Sequence, residues 1–316
     1  MILSEVRSAL LTEAQHSPNL LSDLAGLEHY IAESYHARSF IELLQNADDA
    51  GAARFSVFKA GDHLFVANDG RAFTRDDFES LCRSATSHKA RGTSIGYRGI
   101  GFKSVVGFAN QVNLFSDELA VTFSRELTAK EVPQATSVPL IRIPHPVPQT
   151  VRAAIGDAVH KLMQDGYRTI FAFGEMVTRE IEAEFASFDM SSLLFLRNVC
   201  QVSLNLRHEE KGEIHREKTA RDQLRLKITT TGDSTLWTVF RSGSIAIAFP
   251  HGDANICRLP QDVAVVHAFL PTEEPTGMGV KINADVSTDP SRRSIILDER
   301  TFSAIQAITQ GGYPLD

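Results

Sequence analysis

HARSFIELLQNADDAG, residues 36–51, reads as a helix closed by a glycine. The helix is predicted over 35–50, with Phe40, Leu43, Leu44 and Ala47 supplying a buried side and Gly51 the C-terminal stop. Glu42, Asn46 and Asp49 lie at i, i+4 and i+7, so they share one helical stripe. An amide oxygen is a hard ligand suited to Mg²⁺, which takes few protein ligands and keeps several waters. A carboxylate one turn earlier can hold and deprotonate a water. The competing reading of any such stripe is a solvated polar face.

Two strands follow, ARFSVFKA (53–60) and DHLFVAND (62–69), with Gly61 and Asp62 as their turn. The second ends in Asn68-Asp69-Gly70, which puts side-chain acceptors at a sheet edge beside a glycine that permits close approach to the backbone. A helix over 74–85 is predicted, with Thr74 as N-cap and Asp76 and Asp77 in its first turn. A polar, glycine-bearing stretch from Ser84 to Gly99 leads into SIGYRGIGFKSVVGF (94–108). Gly96, Gly99 and Gly101 precede a short helix from Phe102 to Phe108, with Lys103 and Ser104 in its first turn. Exposed N–H groups and a positive dipole end at such a place suit phosphate. The spacing is neither that of a P-loop nor that of a dinucleotide-binding turn.

Residues 1–34 read as helical, with interrupted leucine faces. Beyond the glycine-rich stretch, strands are predicted at QVNLFS (111–116), LAVTFSRE (119–126) and PLIRIPHP (139–146). A helix over 149–164 and a strand YRTIFAFG (167–174) complete the first half. This order implies an α+β fold with a mostly antiparallel or mixed sheet. Near SSLLFLRNV (191–199) the character changes. Strands are predicted at CQVSLNLR (200–207), LRLKITT (224–230), TLWTVFRS (235–242), SIAIAFP (244–250), VAVVHAFLP (263–271) and GVKINADV (279–286), then a helix at ERTFSAIQAIT (299–309). Two domains are expected, 1–188 and 189–316.

Composition narrows the setting. The chain has 316 residues, 43% hydrophobic and 22% charged, which is the composition of an ordinary globular protein. A net charge of −7 gives no general attraction to nucleic acid, so direct nucleic-acid binding is not indicated. Cys82, Cys200 and Cys257 form no C-x-x-C pair, which fits a reducing, cytoplasmic setting. The N-terminus lacks the long apolar core of a secretory signal, and no apolar run reaches membrane-spanning length. The end at GGYPLD, directly after a helix-like segment, is what either a trimmed piece of a longer protein or a natural terminus would give. The histidines show no paired ligand spacing, and Trp237 and the Phe-rich strands read as core.

Taken together, E-L-L-Q-N-A-D-D-A, N-D-G-x-x-F-T and I-G-x-x-G-I-G-F-K-S-V, in that order and closely spaced, resemble the GHKL (Bergerat-fold) ATPase superfamily. The likeness is closest to its sacsin-type, heat-shock-chaperone-like branch. YRTIFAF (167–173) is similar to the strand that closes that family's pocket. LLFLRNV (193–199) and FLPTEEPTGMGVKINADVSTDPSRRSI (269–295) extend the likeness into the second half.

The resemblance implies a Bergerat-type α/β sandwich, a mixed sheet covered by helices, followed by a strand-rich, transducer- or middle-like α+β domain. It implies ATP and Mg²⁺ as ligands. Glu42 would be the general base and Asn46 the metal ligand, while Asp49 would line the ribose side or support the base. Asn68 or Asp69, beside Gly70, would read the adenine amino group. Gly96, Gly99, Ile100, Gly101, Phe102 and Lys103 would meet the phosphates, and Thr169 would act on the adenine side through water. The segment 84–98, with Ser87 and Lys89, would be a lid. Arg292 and Arg293 are the best candidates, beside Lys281, for a cation that senses the γ-phosphate. The family's D-x-G-x-G pattern is broken here: aligned on Gly70, Asn68 stands at the Asp position and Ala72 at the second Gly.

These implications favour an ATP-hydrolysing conformational switch, the ATPase module of a larger protein or complex of chaperone-like, defence or nucleic-acid-processing type. Protein partners or further C-terminal domains, and an ATP-driven homodimer, go with that reading. A nucleotide-binding module without turnover is the alternative. A histidine kinase is disfavoured, since no helical hairpin with a phospho-acceptor His precedes the first motif.

Overall fold

The computed structural model describes residues 2–34, 39–83, 101–176, 181, 184–185, 188–206, 209–218, 224–230, 233–251, 257–289 and 293–310. The fold is α+β and divides into two compact units. One comprises Met1–Phe188 with Ser203–Glu209, the other Asp189–Val202 with Glu210–Asp316.

The first unit opens with two helices, α1 (Ile2–His16) and α2 (Pro18–Ser34), broken at Ser17. The ring of Pro18 cannot continue a helix but fits the first position of the next. Helix α3 (Ser39–Asp49) is the helix of the opening motif. It ends where the glycine predicts: Gly51 has φ +76°, its N–H bonds the Asp48 carbonyl at 2.9 Å, and the Ala52 N–H reaches back to the Ala47 carbonyl at 3.0 Å. This pair of bonds is the Schellman closure, which a residue bearing Cβ would strain.

Strands β1 (Arg54–Ala60) and β2 (His63–Asn68) form the expected hairpin. Helix α4 (Arg75–Cys82) begins at Thr74 with a full capping box: the Thr74 hydroxyl accepts from the Asp77 N–H, and Asp77 accepts from the Thr74 N–H. Residues 101–107 form a 3₁₀ helix rather than an α-helix, as glycines at both ends and two consecutive valines disfavour a longer α-turn. Then come β3 (Ala109–Ser116), β4 (Leu119–Ser124), α5 (Arg125–Glu131), the two-residue β5 (His145–Pro146), α6 (Gln149–Gln164) and β6 (Thr169–Met176).

Two expectations fail here. PLIRIPHP pairs only at its last two residues. Pro139 and Pro144 remove ladder donors, and the backbone N–H groups of Leu140 and Ile141 are taken instead by the Glu28 carboxylate. The tail of LAVTFSRE turns into α5 because the Ser124 hydroxyl caps it.

The sheet runs β1–β2–β6–β3–β4–β5, antiparallel throughout, with β7 (Gln201–Asn205) beside β1. One face is covered by α6, whose Val151, Ile155, Val159 and Leu162 recur at helical spacing and bury against Phe65, Ala67, Phe115, Ile170 and Ala172. Each such side chain contributes about 1.5–3 kcal/mol of burial. The opposite face carries α3 and the 3₁₀ helix, through Phe40 on Phe55 (5.7 Å), Phe102 on Phe171 (4.8 Å) and Phe108 on Phe173 (5.1 Å).

The second unit is led by a 3₁₀ turn over Met190–Phe195. Its sheet runs β8 (Glu209–Lys218), β9 (Leu224–Thr230), β10 (Asp233–Ser242), β11 (Ile245–His251), β14 (Lys281–Asn283), β12 (Val265–Ala268) and β13 (Leu270–Pro275). Strands β12 and β14 pair in parallel. Helix α7 (Glu299–Gln310) closes it through Ala304 and Ile308 against Ile247, Phe249 and Ile282. Strand β8 was not predicted, because EEKGEIHREK carries almost no apolar periodicity. No helix among the described residues is long and apolar enough to cross a membrane.

His145 sits in β5 with its side chain buried; Nε2 lies 3.0 Å from the Thr128 hydroxyl. Burial pulls its pKa from 6.5 to about 4, against the opposing pull of Glu131. The unfolded chain therefore takes up this proton near pH 6.5 and the folded chain only near 4. The stability that neutral His145 contributes is complete above pH 6.5 and is lost as pH falls through that window, up to about 3 kcal/mol. Urea unfolding across pH 7.5 to 4 should show this decline, and His145→Gln should flatten it. An equal slope in both proteins would remove His145 as its source.

Candidate functional site

Three stretches singled out in the sequence meet on the face of the first sheet opposite α6. Helix α3 packs against the 3₁₀ helix, and its C-terminal turn is bonded to the segment after β2, where the Arg71 N–H donates to the Ala50 carbonyl at 2.8 Å. The third stretch, the 3₁₀ helix itself, rests Phe102 on Phe171, and Phe73 of the 70–74 segment approaches the same ring at 6.2 Å.

Along the sheet, Asn68 of β2 pairs with Thr169 of β6, and Thr169 pairs with Ser116 of β3. Directly opposed residues share a face, so these three polar side chains form one row across three strands. Asn68 is buried at 6% exposure, Thr169 at 3% and Ser116 at 1%. The Ser116 and Thr169 hydroxyls lie 3.1 Å apart, and the Ser116 Oγ accepts the Phe73 N–H at 3.0 Å. Asn68 Oδ1 accepts the Gly70 N–H at 3.1 Å, and an amide oxygen retains a second lone pair. Ser116 carries no sequence signal. It is recognised only from the strand register.

On α3, Glu42 is buried at 3% exposure while Asn46 and Asp49 are half-buried. The stripe is therefore not a solvated face at its first member. Gln45 and Asp48 are also buried, each at 0%, which the leucine pattern did not foretell. Among the described residues no three His, Cys, Asp or Glu side chains gather as a metal cluster.

Asp69 is committed elsewhere. Its Oδ1 accepts the Ala53 and Arg54 N–H groups, each at 2.8 Å, and its Oδ2 accepts Arg54 Nε at 2.8 Å. Burial would raise this carboxyl, but the Arg54 and Ala53 donors outweigh it and hold it below the usual carboxylate range. Between the two acceptors that the sequence left open, this geometry leaves Asn68 in the polar row and makes Asp69 a clasp at the start of β1.

Gly70 has a packing reason. A Cβ there would meet the Ala50 carbonyl oxygen at 2.9 Å and the Ala52 nitrogen at 3.0 Å. The missing side chain lets the end of α3 approach, which is a role distinct from admitting a ligand. The next turn is fixed by charge. Arg71 pairs with Asp77, whose pKa is pulled to about 2 because the Arg71 and Thr74 donors overcome its burial.

Lys103 is buried at 4% exposure, and its ammonium donates to the Ile141 carbonyl at 3.2 Å. Phe102 contributes its ring to the core, and Gly101 begins the 3₁₀ helix. Lys89, Gly96, Gly99, Ile100 and Arg292, with Ser87 and the rest of the 84–98 segment, lie outside the described residues. Within the second unit, Arg293 faces Glu273 at 3.4 Å, and buried Lys281 is paired with Asp189 at 2.8 Å.

Asp69→Ala removes three accepted hydrogen bonds and should cost about 1–3 kcal/mol of unfolding free energy. Gly70→Ala forces Cβ onto backbone that cannot yield and should cost a similar amount, about 1–3 kcal/mol. Denaturant titration of both variants checks this; a Gly70→Ala protein as stable as wild type would show that the α3 turn can move aside.

No family model matches the chain. Protein NO VEIN of Arabidopsis thaliana is 24% identical over 294 residues, which cover 88% of this chain and 10% of that protein. The chain thus spans about a tenth of this relative's length. Among solved structures, the crystal structure of the N-terminal domain of a DNA repair protein superposes with a TM-score of 0.43 at 11% identity, over 90% of this chain and 96% of that one.

Proposed function

We propose that the chain is a Mg²⁺-dependent ATP-binding and hydrolysing conformational switch of the GHKL type, the ATPase module of a larger cytoplasmic protein or complex. The observation that supports this reading best is the meeting of three separate stretches, 39–51, 68–74 and 101–107, on one sheet face. Each stretch alone has an ordinary explanation. Their convergence on one sheet face, with a buried carboxylate on the helix and a buried polar row on the strands, is what a nucleotide site requires.

The residues present fit the ligands. Asn68, with Thr169 beside it, offers an acceptor for an exocyclic amino group. The Asn46 amide oxygen, half-buried one turn beyond Glu42, is the hard donor for Mg²⁺. The bound ion supplies charge neutralisation on the phosphate oxygens. Glu42, shielded from bulk water, orients a water molecule and takes its proton as the water oxygen bonds to the γ-phosphorus and the bond to the β–γ bridging oxygen breaks. Asp49 continues the stripe toward the sugar. Arg292 and Arg293 remain the candidates for the cation that senses the γ-phosphate.

The amide in place of a carboxylate at position 68 favours a second reading, a module that binds nucleotide and changes partner affinity without turning it over. Glu42→Ala and Asn46→Ala separate the two. Under the first reading, Glu42→Ala keeps ATP binding and loses about 100-fold or more of its turnover, while Asn46→Ala loses the Mg²⁺-dependent part of binding. Equal turnover in wild type and Glu42→Ala would end the assignment of the base. Binding that raises Tm with no phosphate released from wild type would establish the second reading instead.

A further inference from the structure

Lys103 follows the glycine-rich stretch, where a lysine would ordinarily be assigned to phosphate, yet the side chain turns inward. Its ammonium donates to the Ile141 carbonyl at 3.2 Å. The backbone just before that carbonyl is held from helix α2: Glu28, buried at 3% exposure, accepts the Leu140 N–H at 2.6 Å and the Ile141 N–H at 2.8 Å. Arg125 approaches the same carboxylate at 3.5 Å. Burial lowers the Lys103 pKa and the field of Glu28 opposes that shift. The next residue on the segment, Arg142, extends the ties to the Cys82 carbonyl of α4 and to Glu13 of α1. The 3₁₀ helix, the 139–143 segment and helix α2 thus share one buried knot, and α2 packs directly on the 3₁₀ helix.

We propose that Lys103 is a positioning residue and not a phosphate ligand: through Ile141 and Glu28 it fastens the 3₁₀ helix 101–107 to helix α2, and so sets where that segment meets a bound nucleotide. This rests on the nucleotide reading above. A buried cation held by a carbonyl beside a buried anion is costly to break singly, which suits a strut. It does not suit a group that must swing out to a ligand. The two roles predict opposite signs for Glu28→Gln. If Lys103 touched phosphate, removing its competing anion would leave ATP affinity unchanged or raise it. If Lys103 is a strut, Glu28→Gln loosens the same knot as Lys103→Met and ATP affinity falls.

The test uses the full 316-residue chain with ATP and adenosine as ligands, by calorimetry in Mg²⁺ well below the Tm of every variant. Lys103→Met and Glu28→Gln are each expected to weaken ATP by about tenfold or more, since misplacements near 1 Å are costly at such sites. Adenosine affinity should stay within about twofold, which a general loss of stability would not spare. The double variant should be no weaker than the worse single, as for two residues of one network. On the wild-type chain alone, mass spectrometry after amine acylation should find Lys103 unmodified without nucleotide while surface lysines react. Rapid acylation of Lys103, or ATP affinity retained in Glu28→Gln, overturns the proposal. A wild-type chain that binds no ATP overturns the nucleotide reading itself, and that outcome is separate from either of the former.

Discussion

The close seating of the α3 terminus on Gly70 is the constraint on which the rest of the site depends. The Schellman turn at Gly51 ends the helix just where the chain must enter β1, and the absent side chain of Gly70 lets the Ala50 carbonyl accept the Arg71 N–H. Because of that contact, the C-terminal turn of α3 is seated against the chain leaving β2. A side chain at position 70 would hold helix end and strand end apart by at least a methyl group. Two glycines thus do different jobs here, one through φ and one through closeness.

Electrostatics hold the same corner in place. Asp69 and Asp77 lie within a few residues of Gly70, and both carboxylates are held ionised by arginines and backbone donors against the cost of burial. Asp69 ties the end of β2 to the start of β1 through Arg54, which also reaches the Asp165 carbonyl at 3.0 Å. Asp77 ties the 70–74 segment to α4. The chain leaving β2 is therefore pinned on both sides, which is how a short irregular segment can present a fixed backbone beside a site.

Much of this was legible in the sequence, and the failures have physical causes. Helix α3, the β1–β2 hairpin, the Thr74 cap, α6 and strands β9 to β11 follow from periodicity and turn chemistry alone. The stripe Glu42, Asn46 and Asp49 follows from helical spacing, but its burial does not, because i and i+4 positions are equally compatible with a solvated face. The polar row could not be seen, since Ser116 and Asn68 are 48 residues apart and meet only through Thr169 in the register of β6. Asp69 against Asn68 was undecidable for a similar reason: adjacent residues on a strand point to opposite sides, and sequence does not say which side holds the site. Lys103, which its place after glycines marks as an anion binder, donates to the Ile141 carbonyl 38 residues later, in a segment held by Glu28 of a helix with no motif of its own. Strand β8 was hidden by its charges.

Local stability and function pull apart most clearly on α3. An eleven-residue helix that is nearly enclosed could have been built from leucine and alanine at every buried position. Instead it buries Glu42, Gln45 and Asp48 alongside Phe40, Leu43 and Leu44. Taking two carboxylates and an amide out of water costs several kcal/mol even when each finds partners. A helix chosen for stability alone would not carry them. Positions where a sequence departs from its own packing rules are where chemistry is to be looked for, and Glu42, the first member of the predicted stripe, is one of them.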